Sequence, residues 1–109
     1  MGVMLHEKVR FDCRATVDDG AGNEESGDWT ELCQAMADIE ERPGSETPEG
    51  GRMLATRPCT IRVRRNLNTV QVQTKHRAFA RGEAWRILSV AWDRKAGLLV
   101  IACEAGGAP

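Results

Sequence analysis

The residues able to do chemistry are few and poorly spaced for it. There are two histidines, His6 and His76. His6 lies in a loose opening segment, and His76, between Lys75 and Arg77, reads as an exposed strand residue. Nucleophilic or acid–base catalysis needs a nucleophile and a base held within hydrogen-bond reach by a third group. Two separate imidazoles supply no such set. The four cysteines, Cys13, Cys33, Cys59 and Cys103, include no C-x-x-C pair, whereas zinc needs clustered ligands. Each stands among apolar residues, where a free thiol behaves as a small hydrophobe, so buried reduced cysteines are expected. Gly20-Ala21-Gly22 and Gly50-Gly51 join no strand to a helix and read as turns rather than phosphate cradles. The acidic pairs Asp18/Asp19, Glu24/Glu25 and Glu40/Glu41 read as solvated loop charge. Neither G-x-S-x-G nor H-E-x-x-H occurs. The expectation is no enzyme, no cofactor and no metal.

What the elements must position instead is charge. The 109 residues suffice for one domain with one modest core. No apolar run approaches the roughly 20 residues of a membrane helix. The opening Met1–Glu7 lacks the basic and apolar regions of a signal peptide, so a protein made in a cytoplasm and without a membrane partner is expected. The net charge of −1 hides a split: residues 1–49 carry 13 acids and four bases, and residues 50–109 carry 11 bases and three acids. Two readings stay open. Either the halves form an acidic and a basic face that dock head to tail on further copies, or the strands interleave and the charges mix.

Strands dominate the pattern. Val9, Phe11, Cys13, Ala15 and Val17 alternate with polar residues, a period of two that buries one face. Asp18 to Asn23 is turn chemistry, opening a long exposed connection to Asp28. A second strand is expected over Trp29–Ile39, although Leu32, Met36 and Ile39 also fit a helix. Residues 41–58 hold three of the four prolines and three glycines, which predicts a long projecting loop, with Arg52–Thr56 able to form a helical turn. Further strands are expected at Cys59–Arg65, near His76–Ala80, at Ala84–Trp92 and at Leu98–Glu104. In Ala84–Trp92, Trp85 and Ile87 share one side and Leu88 and Val90 the other, which predicts a bulge or two-sided burial. Residues 105–109 read as a flexible tail. The fold class is all-β, a six-stranded small barrel or sandwich in one domain, 1–109, with its long loop between the second and third strands.

The order of these pieces resembles the phage head–tail joining family, the head-closure or stopper proteins of tailed phages and gene transfer agents. The resemblance spans Leu5 to Glu104. It rests on the basic alternating first strand, the Asp19–Ser26 turn before Trp29, and the Ala35-Met36-Ala37-Asp38-Ile39-Glu40 strand. Gly44-Ser45-Glu46, Thr60-Ile61-Arg62-Val63-Arg64 and the Arg81–Val90 hairpin follow, and a final apolar strand ends in Cys103-Glu104.

The resemblance implies a homo-oligomeric ring, six-membered in preference to twelve, in the neck of a virion or phage-like particle assembled in a bacterial cytoplasm. The ring would lie between an adaptor or portal ring on the head side and a tail terminator or tail tube on the tail side. The long loop would reach a central channel holding double-stranded DNA. Its residues are Arg42, Pro43, Gly44, Ser45, Glu46, Thr47, Pro48, Glu49 and Arg52, and the glutamates would repel phosphate. Arg57, Arg62, Arg64, Arg65, Asp18 and Asp19 are the expected contacts to neighbouring subunits or DNA. The alternatives are a small nucleic-acid-binding barrel, using the basic strip of Arg62, Arg64 and Arg65, or another neck ring such as the adaptor or tail terminator.

Overall fold

Alternating apolar residues do build strands here, and the computed structural model, which describes residues 4–18, 24–42, 45–49 and 52–106, contains nine of them. They are β1 (Glu7–Cys13), β2 (Thr16–Asp18), β3 (Glu24–Ser26), β4 (Thr30–Glu41), β5 (Ser45–Glu49), β6 (Arg52–Arg64), β7 (Arg77–Ala80), β8 (Glu83–Asp93) and β9 (Leu98–Gly106). Six of them close an antiparallel barrel in the order β1-β7-β8-β9-β6-β4, with β4 pairing back to β1. Closure removes the free edges that such apolar strands would otherwise expose.

The inward set is the one the period of two selects. Val9 and Phe11 of β1, Ala37 and Ile39 of β4, Cys59, Ile61 and Val63 of β6, Trp85 and Ile87 of β8, and Leu99, Ile101 and Cys103 of β9 are all buried. The helical alternative for residues 32–39 loses, because β4 alternates Cys33, Ala37 and Ile39 inward against exposed Gln34, Met36 and Glu40. Two bulges correct the phase. One leaves Leu32 as an extra residue opposite the Phe11/Asp12 step, and the other leaves Leu88 extra between Ile87 and Ser89. The second explains why Trp85 and Ile87 share one parity and Val90 the other: a bulge resets alternation by one residue.

One barrel end is covered by the crossing after β6. Asn66 Oδ1 accepts from the Asn68 and Thr69 backbone N–H groups at 2.9 Å each, and the buried Thr69 hydroxyl donates to the Arg64 carbonyl at 2.6 Å. Between β6 and β7 the chain makes a 3₁₀ turn at Thr69–Gln71 followed by a loop. At the other end Arg81 and Gly82, with φ of 55° and 80°, form the two-residue connection between β7 and β8. Positive φ at both central positions suits the right-handed twist of the flanking strands.

Two ribbons extend beyond the barrel. The β1–β4 ladder runs to Cys13↔Thr30, the Gly27 N–H donates to the Ala15 carbonyl at 2.7 Å, and β2 pairs with β3. From the opposite end, β6 starts before the barrel and pairs with β5 from Glu49↔Arg52 to Ser45↔Thr56. The expected helical turn at Arg52–Thr56 is therefore strand, and the long connection carries a hairpin. The radius of gyration, 15.7 Å, exceeds the ~13 Å usual for this chain length, as two projecting arms require.

Candidate assembly site at the barrel ends and rim

The charge split of the sequence is largely consumed within the barrel. β1 and β4 come from the acidic half and lie side by side, β6 to β9 come from the basic half, and closure brings the two groups together at the β1–β7 and β4–β6 seams. Arg81 forms ion pairs with Glu7 and Glu41 at 2.6 Å each, and its guanidinium also donates to the Ile39 carbonyl at 3.2 Å. Hydrogen bonds from Arg81, reinforced by its charge, outweigh burial and hold the Glu7 carboxyl below its ordinary pKa. Arg62 lies 3.3 Å from Asp38 and 3.5 Å from Glu40. Arg57 pairs with Glu83 and stands 3.7 Å from Glu41. Asp12, only 2% exposed, receives Arg10 at 2.7 Å and Arg77 at 2.9 Å. Of the two readings left open, the strands do not interleave, yet charges of the two halves pair where the halves meet.

The pairing sorts the expected contact residues. Arg57 and Arg62 are engaged by carboxylates of their own chain, so Arg62, Arg64 and Arg65 do not form a uniform basic strip. Arg64 and Arg65 are exposed, with no ion pair among the described residues. Arg65 lies against the Trp92 ring at 4.1 Å from its centre, and Arg94 lies at 4.5 Å from the same ring. Asp18 belongs to β2, while Asp19 lies outside the described residues. Of the expected channel residues, Arg42 is exposed and its N–H donates to the Pro58 carbonyl at 3.0 Å, closing the base of the β5–β6 hairpin. Ser45, Glu46, Thr47, Pro48 and Glu49 form β5, and Arg52 opens β6. Pro43 and Gly44 lie outside the described residues.

His76 corrects the sequence reading. It is buried at 9% exposed, in the turn before β7, and its Nδ1 accepts the Gln73 backbone N–H at 3.0 Å. Burial and the nearby Lys75 charge push its pKa down, which keeps the ring neutral. Nothing local marks this, since flanking lysine and arginine signal exposure and only the turn geometry folds the ring inward. Cys33, Cys59 and Cys103 are buried, Cys13 is half-buried, and all four are free thiols. Cys59 and Cys103 face each other across β6 and β9. No group of three or more His, Cys, Asp or Glu among the described residues is arranged to hold a metal ion.

The sequence reading also missed a concave site on the barrel wall. A cleft of about 520 Å³ is lined by residues of β7, β8 and β9, by the 74–76 turn, and by Arg14 and Trp29 at the rim where the first ribbon leaves the barrel. Arg14 and Arg77 both lie against the Trp29 ring, at 4.4 and 4.7 Å from its centre. Its members are scattered through the sequence between residues 14 and 105, and no local pattern unites them.

These features describe a packed barrel with two arms and a charged rim. No curated protein matches the chain by sequence. Among solved structures it is similar to a chain of the "Virion of native gene transfer agent (GTA) particle". That likeness has 26% identity and a TM-score of 0.77, and covers 94% of this chain and 96% of the other. A model of the family described as phage head completion protein matches residues 3–106. With nearly its whole length matched, the chain belongs to the phage head completion protein family.

Proposed function

We propose that the protein is a non-catalytic subunit of a head–tail connector ring. It would join a portal or adaptor ring to the tail in a tailed phage or gene transfer agent, with its β5–β6 hairpin narrowing the DNA channel as a stopper. The observation that carries this reading is the hairpin itself. Among the described residues β5 pairs only with β6, and β6 runs past the barrel to meet it, so this ribbon extends from the body instead of adding to its wall. A two-stranded ribbon is marginal in water and gains order from neighbours. The barrel lumen cannot be the passage, because Phe11, Trp85, Ile61 and Ile101 fill it. A DNA-sized hole arises only between copies, and several hairpins converging on its axis would close it sterically. Glu46 and Glu49, carried on β5, would add repulsion of phosphate.

The test is to replace residues 44–56 by Asn-Gly, which leaves the Arg42–Pro58 pair to close a short loop. The barrel should melt within a few degrees of the parent, and particles carrying the variant should lose packaged DNA, read as nuclease-sensitive DNA. Full retention of DNA by such particles would end the gating role.

A second reading, a small nucleic-acid-binding barrel, draws on one patch. Arg65 and Arg94 lie against half-exposed Trp92, with Arg64 and Lys95 nearby in the chain. On that reading, Arg64→Ala with Arg65→Ala should weaken duplex binding and flatten its salt dependence by about two ions released. On the connector reading, the free protein binds duplex DNA weakly and the variant changes little.

A further inference from the structure

The cleft on the barrel wall has no part in the reading above, and its chemistry is specific. Across its floor Arg77, Arg86 and Glu104 stand in register on β7, β8 and β9, and its rim carries Arg14, Trp29 and Lys75. Glu104 pairs with Arg86, and Asp12 holds Arg77 from β1. Counting these two carboxylates against Arg14, Lys75, Arg77 and Arg86 leaves a net positive site. Its volume suits a peptide segment or a small ligand. Guanidinium groups beside an indole present an apolar platform edged with carboxylate-binding donors.

The same chain carries a segment of opposite character. Residues 15–34 contain six acids, Asp18, Asp19, Glu24, Glu25, Asp28 and Glu31, and no lysine or arginine. The β2–β3 hairpin within it forms its own two-stranded sheet, separate from the barrel. A ribbon of that size is not independently stable and needs a surface to lie on. Donor and acceptor are different surfaces of one chain, so each copy can give a hairpin and receive one, the heterologous pattern that generates rings.

We propose that the cleft formed by Arg14, Trp29, Lys75, Arg77 and Arg86 receives the acidic β2–β3 hairpin of a second copy of this chain. This rests on the ring reading and supplies its subunit contact. Opposite charge steers the encounter and fixes the register, and the indole gives the hairpin backbone an apolar surface.

The experiment uses carbodiimide, which joins lysine to a carboxylate in direct contact. The chain has only three lysines, Lys8, Lys75 and Lys95. Unlabelled and ¹⁵N-labelled protein are mixed while dilute, concentrated, cross-linked, digested and analysed by mass spectrometry, and the mass of the assembled species is measured by light scattering on the same sample. The expected product is a peptide pair joining Lys75 to Glu24 or Glu25 with one partner of each isotope. Arg14→Glu, at an exposed position, should cut its yield roughly ten-fold, as expected for reversing a charge at a contact. Links from Lys75 to Glu24 or Glu25 found only within a single isotope, with no mixed pairs, would place the hairpin on its own cleft and overturn the proposal. Ring-sized species whose mixed-isotope links run only through Lys8 or Lys95 would overturn this contact and leave the ring standing. A 12 kDa monomer at every concentration would remove both.

Discussion

Trp85→Ala is expected to cost about 3–5 kcal/mol, the largest loss for any single side chain in this protein. Trp85 is fully buried in the barrel core, and its Nε1 donates to the Ala80 carbonyl at 3.1 Å. Truncation would leave a cavity that a closed barrel cannot collapse, because hydrogen-bonded neighbours fix every strand on both sides. It would also leave the Ala80 carbonyl, next to the Arg81-Gly82 turn, without the indole donor. Against a typical domain stability of about 5–15 kcal/mol, much of the protein would unfold near physiological temperature. Urea denaturation followed by circular dichroism reads this directly. Trp85→Phe, which keeps most of the volume and loses the donor, should cost about 1–2 kcal/mol. A loss below 1 kcal/mol for the alanine variant would mean that the barrel is not packed around this ring.

The second large effect is at Asp12, on the outer face. Arg10 Nε and a terminal guanidinium nitrogen of the same residue donate to its two oxygens at 2.7 and 3.2 Å, and Arg77 Nε donates at 2.9 Å. Burial alone would raise the carboxyl pKa, but hydrogen bonds from Arg10 and Arg77, with their charges, outweigh it and lower the pKa. A depressed acid pKa means that the folded state holds the proton less tightly than the unfolded chain. Its stabilisation is therefore complete above the unfolded value of ~3.9 and fades as pH falls through the folded value. Asp12→Ala should cost about 2–4 kcal/mol at pH 7, less than for a fully buried pair because both arginines keep partial access to water. The penalty should shrink below pH 4, where the parent loses the same interaction. A variant whose loss is constant from pH 7 to pH 3 would show that the carboxylate charge contributes nothing.

The barrel was legible in the sequence because its determinants are local. Alternation in Val9–Cys13 and Cys59–Val63 declares which face is buried, and Asp-Arg-Lys-Ala-Gly before Leu98 declares a turn. The arms were less legible. β5 contains Pro48 and two glutamates, a composition with poor strand propensity, and it becomes a strand only because β6 runs on past the barrel to pair with it. The ion pairs were illegible for a different reason. Arg81 and Glu7 lie 74 residues apart and meet because β7 inserts beside β1, so the fate of the charge asymmetry is set by strand order. The cleft shares this cause, since Arg14, Lys75 and Arg86 converge only through topology.

β5 has one further consequence. Hydrogen-bonded to a partner on one side only, it carries along the other a row of backbone groups onto which a foreign strand could zip, the starting point of fibrous aggregation. Pro48 deletes a donor from that row, and Glu46 and Glu49 would set like charges against those of an identical strand laid beside them. In the proposed ring, where many copies would stand at high local density, this arm would carry a safeguard against unlimited growth.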